Sequence, residues 1–328
     1  MKRLLSVIVS GALMLSFFSF SGVVKAVEKY PAKPVIFIVP NEAGSSADTM
    51  ARALCLKLQA LLGQPVVVSN KPGGGSSIGC RELHGAKPDG YTIGMSSGTI
   101  VTNKLQGLMP YDYRDFTVLG AYLNWGPALI ASTKTKRPFN TFQEVVSFAK
   151  AHPDDVSIAT GSVGQIWWIA TVAFLRSTGL KFNVLPQTGS SAITAVQVAG
   201  GHTDLGITDV TAAKSQIDAG NVKILAIFGS QRLPGRFSDV PTLKELGYDI
   251  NTYSTHVALG PPKMPKEITD QLVKTVETAA NDPDFKSLLA QNNALPLYLP
   301  PDQTVKWFDE QRKLYRDIMD KAGILKEK

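Results

Sequence analysis

The chain predicts an α/β fold divided into two lobes, and three observations carry that prediction. Apolar runs of strand length alternate with longer runs of helical period along most of the sequence. Several strand-like runs hand over to the next helix through turns made of Gly, Ser and Thr. Two less regular stretches, 119–132 and 237–254, interrupt the alternation where a chain would leave one lobe and return to it. The chain has 328 residues and 44% hydrophobic content, enough for one large domain or two lobes.

The elements follow in order. Strands are expected over 35–39 (VIFIV), 65–69, 91–95, 156–159, 182–185, 204–208 and 223–227, each a short apolar run bounded by turn residues. Helices are expected over 47–62, 142–151, 165–178, 192–199 and 212–219, and the last third is mostly helical, over 265–280, 283–291 and 301–322. Pro265, Pro283 and Pro301 suit first-turn positions. The returning chain suggests one lobe from 27–127 with 250–328 and a second from 128–249.

Residues 1–26 read as a cleaved secretory signal peptide. Lys2 and Arg3 form a basic start, 4–20 an apolar core, and Val24-Lys25-Ala26 a small-residue cleavage pattern, which makes Val27 the mature N-terminus. No later stretch is apolar for long enough to span a membrane. The expected product is an exported periplasmic protein of 302 residues, 328 less 26. Its formal charge falls from +7 to +4 when Lys2, Arg3 and Lys25 are removed. That balance, without a basic stripe interleaved with aromatics, argues against nucleic acid and fits small anions. Charged residues are 19% and no low-complexity tract occurs, which argues against disorder. The two cysteines, Cys55 and Cys80, allow either a disulfide or two buried thiols.

The Gly/Ser turns are the chemical signal. PNEAGSSAD (40–48) follows the first strand, SSGT (96–99) the third and TGSVG (160–164) the fourth; PQTGSSA (186–192) follows the next, and Asp209 ends the run after it. Ligands of open α/β sheets bind beyond the carboxyl ends of the strands. A helix start presents free N–H donors and roughly half a positive charge; Gly removes the Cβ that would hold an anion away, and Ser and Thr add hydroxyl donors. Each turn alone could be an ordinary helix cap. Their recurrence points to a site that grips a carboxylate without Arg or Lys. The candidate ligand-binding residues are Asn41, Gly44, Ser45, Ser46, Ser96, Ser97, Thr160, Gly161, Ser162, Val163, Gly164, Thr188 and Asp209, with Trp168 as an aromatic surface; of the pair Trp167-Trp168, about 100° apart on a helix, one can pack inward while the other faces the turn.

Rival chemistries have weaker signals. Gly94-Met95-Ser96-Ser97-Gly98 matches G-x-S-x-G, so a serine hydrolase using Ser96 is a remote alternative, with His152, His202 or His256 as partner. His152 and His202 lie at helix ends, and TIVTNKLQG after Gly98 holds few packing residues for the helix such an elbow needs. KPGGGSSIGCR has phosphate-loop spacing from Gly74 to Gly79, but Cys80-Arg81 stands where Lys-Ser/Thr is required. Four scattered His and two distant Cys offer no metal spacing, and no cofactor is expected.

The chain resembles the Bug-type extracytoplasmic solute receptors of the tripartite tricarboxylate transporter family. The resemblance rests on YPAKPVIFIVP, AGSSADTMARAL, LGQPVVVSNKPGGGSSIG, AKPDGYTIGMSSGT, LMPYDYRDFTVLG, VSIATGSVG, GGHTDLGITDV, VKILAIFGSQRLPGRFSDVPTLKELGY and KAGI at Lys321, in that order over nearly all the mature chain. It implies a type II periplasmic binding protein, a two-lobed "Venus flytrap" with a crossover hinge, which is no enzyme. It also implies a monomer that captures a small carboxylate and delivers it to the inner-membrane permease subunits of such a transporter. The implied grip joins the turns at 40–48 and 160–164, partly through ordered waters, with 96–99, 188–191 and Asp209 lining the rest. This chain departs from the family in its first turn, where Asn41-Glu42-Ala43-Gly44-Ser45-Ser46 replaces an aromatic and a Pro-Gly-Gly run, and in Trp167-Trp168, which stand near where a small polar residue and a His are usual. Glu42 is expected to point to solvent. These departures suggest an aromatic mono- or dicarboxylate, such as a phthalate isomer, as cargo; the alternative is an aliphatic di- or tricarboxylate like citrate.

Overall fold

The computed structural model describes residues 30–229, 231–250 and 252–327; the expected signal peptide and Val27 lie outside them. Two sheets form. The first contains β1 (Val35–Val39), β2 (Val66–Asn70), β3 (Thr92–Ser96), β4 (Thr117–Trp125), β10 (Ser254–Gly260) and β11 (Leu295–Leu299), in the order β11-β4-β10-β3-β1-β2. The second contains β5 (Pro127–Ser132), β6 (Ser157–Thr160), β7 (Asn183–Pro186), β8 (Leu205–Asp209) and β9 (Val222–Ile227), in the order β7-β6-β8-β5-β9. Each sheet has a parallel half, β2-β1-β3 in one and β7-β6-β8 in the other. Each parallel half is flanked by an antiparallel strand, β10 beside β3 and β5 beside β8.

Only Gly126 separates β4 from β5, so the chain passes from the first sheet to the second there. It returns between β9 and β10. These are the two irregular stretches of the sequence, and the first holds two strands that alternation does not reveal. β5 is buried at every residue, so both of its faces are apolar and no period of two remains. β10 (STHVALG) is also fully buried, and its Ser, Thr and His mask a central strand.

Helices cover both faces of the first sheet. Behind one face lie α1 (Ser46–Leu62), α8 (Lys266–Asn281) and α9 (Pro283–Gln291), packed on Phe37, Val39 and Tyr122. Behind the other lie α2 (Ser77–His84), α3 (Thr99–Leu105) and α10 (Pro301–Lys321), packed on Ile38, Val257 and Leu259. α3 is the TIVTNKL run that looked too poor in packing residues. It folds as a helix because Thr99, Thr102 and Asn103 are themselves buried beside Ile100, Val101 and Leu105. The second sheet packs α4 (Phe142–Ala151) and α5 (Ile166–Thr178) on one side, and α6 (Ser191–Ala199) and α7 (Val210–Asp218) on the other.

α5 also ties the lobes together. Ala170 and Phe174 belong to the core of its own lobe, whereas Ile166, Trp168 and Ile169 join the cluster of Tyr315, Ile318 and Met319 from α10. Arg176 reaches Asp317 at 2.8 Å along the same seam. Cys55 and Cys80 are free, buried thiols in different clusters on opposite faces of the first sheet. Burial pushes the Cys80 thiol up to about 11. Among the described residues no helix is long and apolar enough to cross a membrane.

Candidate functional site: a cleft between the two sheets

A cavity of about 390 Å³ opens between the lobes. The segments following all six parallel strands reach it: Pro40–Ala47 after β1, Gly73–Ser76 after β2, Ser97 and Thr99 after β3, Gly161–Trp167 after β6, Thr188–Ser191 after β7, and Asp209 at the end of β8. This is the position that strand direction assigns to a ligand in open α/β sheets. The antiparallel strands add Trp125, Ser254 and His256.

The turn before α1 is held by its own side chains. Ser45 caps the helix by accepting from the Asp48 N–H, and Asp48 accepts from the Gly44 N–H at 2.8 Å. Asn70 and Arg52 donate to the Asp48 carboxylate at 2.9 and 3.0 Å. Burial alone would raise the Asp48 pKa, but the hydrogen bonds from Arg52, Gly44 and Asn70 outweigh it and hold the carboxyl below its usual range. Asn41, Ser45 and Ser46 line the cavity; Gly44 does not. A Cβ on Gly44 would meet no protein atom within 4 Å, and its φ of +78° is the conformation that favours glycine there. Glu42 is exposed and stands at the cavity's edge.

In the second lobe, Gly161 and Ser162 line the cavity and open into α5. The Ser162 hydroxyl donates to the Gln187 carbonyl at 2.9 Å, tying this turn to the one after β7. No side chain caps α5 or α6, although Gln165 and Ser190 occupy their cap positions and both line the cavity. Both helices thus start without a capping side chain, and their cap residues stand at the cleft. Thr188 also lines the cavity.

Asp209 lines it too, at 1% exposure. It caps α7 by accepting from the Ala212 N–H at 2.7 Å, and it accepts from the Ser46 hydroxyl of the other lobe at 3.0 Å. Burial raises its pKa, an effect that hydrogen bonds from Ser191, Ala212 and Ser46 only partly offset. The Ser46–Asp209 bond joins the starts of α1 and α7 across the cleft.

Five other sequence-predicted residues lie off the cavity. Ser96 is 1% exposed and faces Cys80 Sγ at 3.6 Å; its neighbour Ser97 lines the cavity instead. Thr160 is buried and accepts from Thr171 at 2.7 Å. Val163 turns outward at 44% exposure, and the Gly164 carbonyl accepts from Gln106 across the lobes at 3.4 Å. Trp168 is the inward-packing member of its pair, and Trp167 is the ring on the cavity wall. The 100° step between adjacent helical residues separates the two, but only the seam with α10 decides which faces which way.

Several lining residues carried no sequence signal as ligand-binding residues, His256 being a candidate only for the hydrolase alternative. Gly73–Ser76 has only the spacing of an incomplete phosphate loop in sequence; all four residues adopt positive φ and line the cleft. Trp125, Ser254 and His256 sit on strands hidden by their burial. His256 and Trp125 form a T-shaped pair with ring centroids 4.8 Å apart, and burial lowers the His256 pKa to about 3, so its ring is neutral. No lysine or arginine lines the cavity among the described residues.

The hydrolase alternative finds no geometry. No histidine bonds to Ser96 among the described residues: His256 faces the Tyr122 hydroxyl at 3.5 Å and His152 stacks on Phe148. No cluster of three or more His, Cys, Asp or Glu suited to a metal occurs among the described residues.

Two α/β lobes that enclose a cleft at the ends of their parallel strands define a solute-binding receptor. Residues 50–324 match the family described as Tripartite tricarboxylate transporter family receptor, and the chain belongs to that family, as a Bug-type member. It is 31% identical over 327 residues to Protein BugT of Bordetella pertussis, covering 98% of each chain. The solved structure of the periplasmic binding protein BugD is 28% identical, with a TM-score of 0.78, covering 91% of this chain and 100% of that one. Rpa4515 of R. palustris, solved with adipate, is 25% identical with a TM-score of 0.82, covering 90% of this chain and 99% of that one.

Proposed function

We propose that this chain is a periplasmic receptor, exported by its N-terminal segment, that captures a small organic acid in the cleft and delivers it as a monomer to the permease of a tripartite tricarboxylate transporter. The observation that carries the reading is the cleft's electrostatics. It has no basic side chain, so attraction for an anion comes from the uncapped starts of α5 and α6, the first turn of α1 and the surrounding hydroxyls. The lobes divide at Gly126 and again between Ile250 and Ser254, and the ligand shifts the population toward the closed form by bridging them.

Trp167 on the wall supports a flat cargo, an aromatic mono- or dicarboxylate such as a phthalate isomer. A second reading, an aliphatic dicarboxylate, is supported by the adipate bound to Rpa4515. A thermal-shift screen over aromatic and aliphatic acids tests both. A bound acid at 100 times its Kd adds about 2.7 kcal/mol of stability. Shifts with aliphatic acids alone would reject the aromatic cargo, and no shift with any acid would reject the carboxylate reading.

A further inference from the structure

Two glutamines cross between the lobes, and each comes to rest on a glycine of the other. Gln165, at the cap position of α5, belongs to the second lobe and lines the cavity. Its side-chain amide lies against Gly75, in the loop after β2, where a Cβ would stand 2.2 Å from Gln165 Nε2. Gln106, at the end of α3, belongs to the first lobe and stands off the cavity. Its amide lies against Gly164, where a Cβ would stand 2.3 to 2.4 Å from Cδ, Oε1 and Nε2 of the glutamine. Gln106 Nε2 also donates to the Gly164 carbonyl at 3.4 Å. Neither glycine position has room for a side chain while the amide is seated there.

The two contacts interlock. Gly164 and Gln165 are consecutive, so one turn of the second lobe receives one amide and supplies the other. On the first-lobe side both partners depend on α3: Gln106 follows its last turn, and Asn103 within it donates to the Gly75 carbonyl at 2.8 Å. Thr99, which opens α3, lines the cavity. The loop after β2, α3 and the turn that leads into α5 thus make one clasp beside the cleft. Each contact joins groups of different lobes, so it stabilises the closed form and contributes nothing to an open one.

We propose that Gln106 and Gln165 are reciprocal latches that hold the lobes shut over a bound acid and so set its residence time. The proposal rests on the reading of the cleft as an organic-acid site that closes on its cargo. A latch shifts the closing equilibrium whatever the cargo's tail, so its loss speeds the escape of every acid by one common factor. The loss of one hydrogen bond of ordinary net strength corresponds to about threefold to tenfold.

Stopped-flow tryptophan fluorescence provides the test, with adipate, terephthalate and each other acid that binds in the thermal-shift screen. The purified chain is compared with its Gln106→Ala and Gln165→Ala variants. Each variant should raise koff about threefold to tenfold, by the same factor for every acid, with kon within twofold of the wild type. Gln106→Ala is the decisive arm, because that side chain stands off the cavity and acts only through closure. The ligand-free melting temperature should not fall, whereas a purely structural role would lower it. Gln106→Asn and Gln165→Asn keep the amide but shorten its reach, and they carry the same expectation should an alanine variant not fold. An unchanged koff in the Gln106 variants, a factor that differs between acids, or a lowered ligand-free melting temperature would overturn the latch while leaving the carboxylate reading intact. Failure of every acid to bind the wild type would overturn both.

Discussion

At the residue scale, neighbours in sequence perform different tasks, and the side chain alone does not announce which. Trp167 faces the cleft and Trp168 the seam, Ser97 the cleft and Ser96 a thiol. Trp167→Ala should weaken aromatic acids about tenfold, roughly the value of one ring contact, and spare aliphatic ones, as calorimetry would show. His256 makes a prediction about acidity. In the unfolded chain it titrates near 6.5, whereas in the folded protein it stays neutral down to about 3. Below pH 6.5 the unfolded chain therefore binds a proton that the folded one refuses. This group's contribution to stability falls as pH drops toward 3, by up to about 1.4 kcal/mol per pH unit. Melting curves between pH 7 and 4 should show a shallower loss for His256→Gln; an unchanged slope would contradict the buried neutral ring. Cys55 and Cys80 should both resist a thiol reagent in the native state and react in denaturant, and a failure to recover two thiols on unfolding would mean that they are bridged.

At the element scale, most elements were legible, the fully buried β8 among them, whereas the fully buried β5 and β10 were not. α1 spans Ser46–Leu62 where periodicity predicts 47–62, and β1 coincides with its apolar run. β10 and α3 were missed because residues that read as polar are interior: Thr99, Asn103, Thr255 and His256 are all buried. α5 carries the sharpest element-level test. Trp168→Ala should cost about 3–5 kcal/mol, since it empties a packed site between α5 and α10, and Trp167→Ala should cost far less. Comparable losses in chemical denaturation would contradict the division of labour. α2 depends on a close backbone approach: a Cβ on Gly79 would lie 2.8 and 2.9 Å from Pro40 Cβ and Cα. Gly79→Ala should therefore destabilise the fold by about 1–3 kcal/mol and disturb the cavity loop that α2 anchors.

At the scale of the whole molecule, the lobes meet through the Ser46–Asp209 bond, the Arg176–Asp317 pair and the α5–α10 seam. A cargo that bridges them should reduce the radius of gyration measured by small-angle scattering, and saturating ligand without compaction would exclude closure as the capture step. The sequence by itself determined the α/β class, the order of most elements and the chemistry of the turns, because strand and helix periods and the conformational freedom of glycine are local properties. Tertiary structure alone decided which turns share one cleft, which tryptophan faces it, and that Trp125 and His256 stand on its wall. Those outcomes depend on contacts between residues more than a hundred positions apart, such as Trp125 with His256 and Ser46 with Asp209, and local pattern carries no record of them.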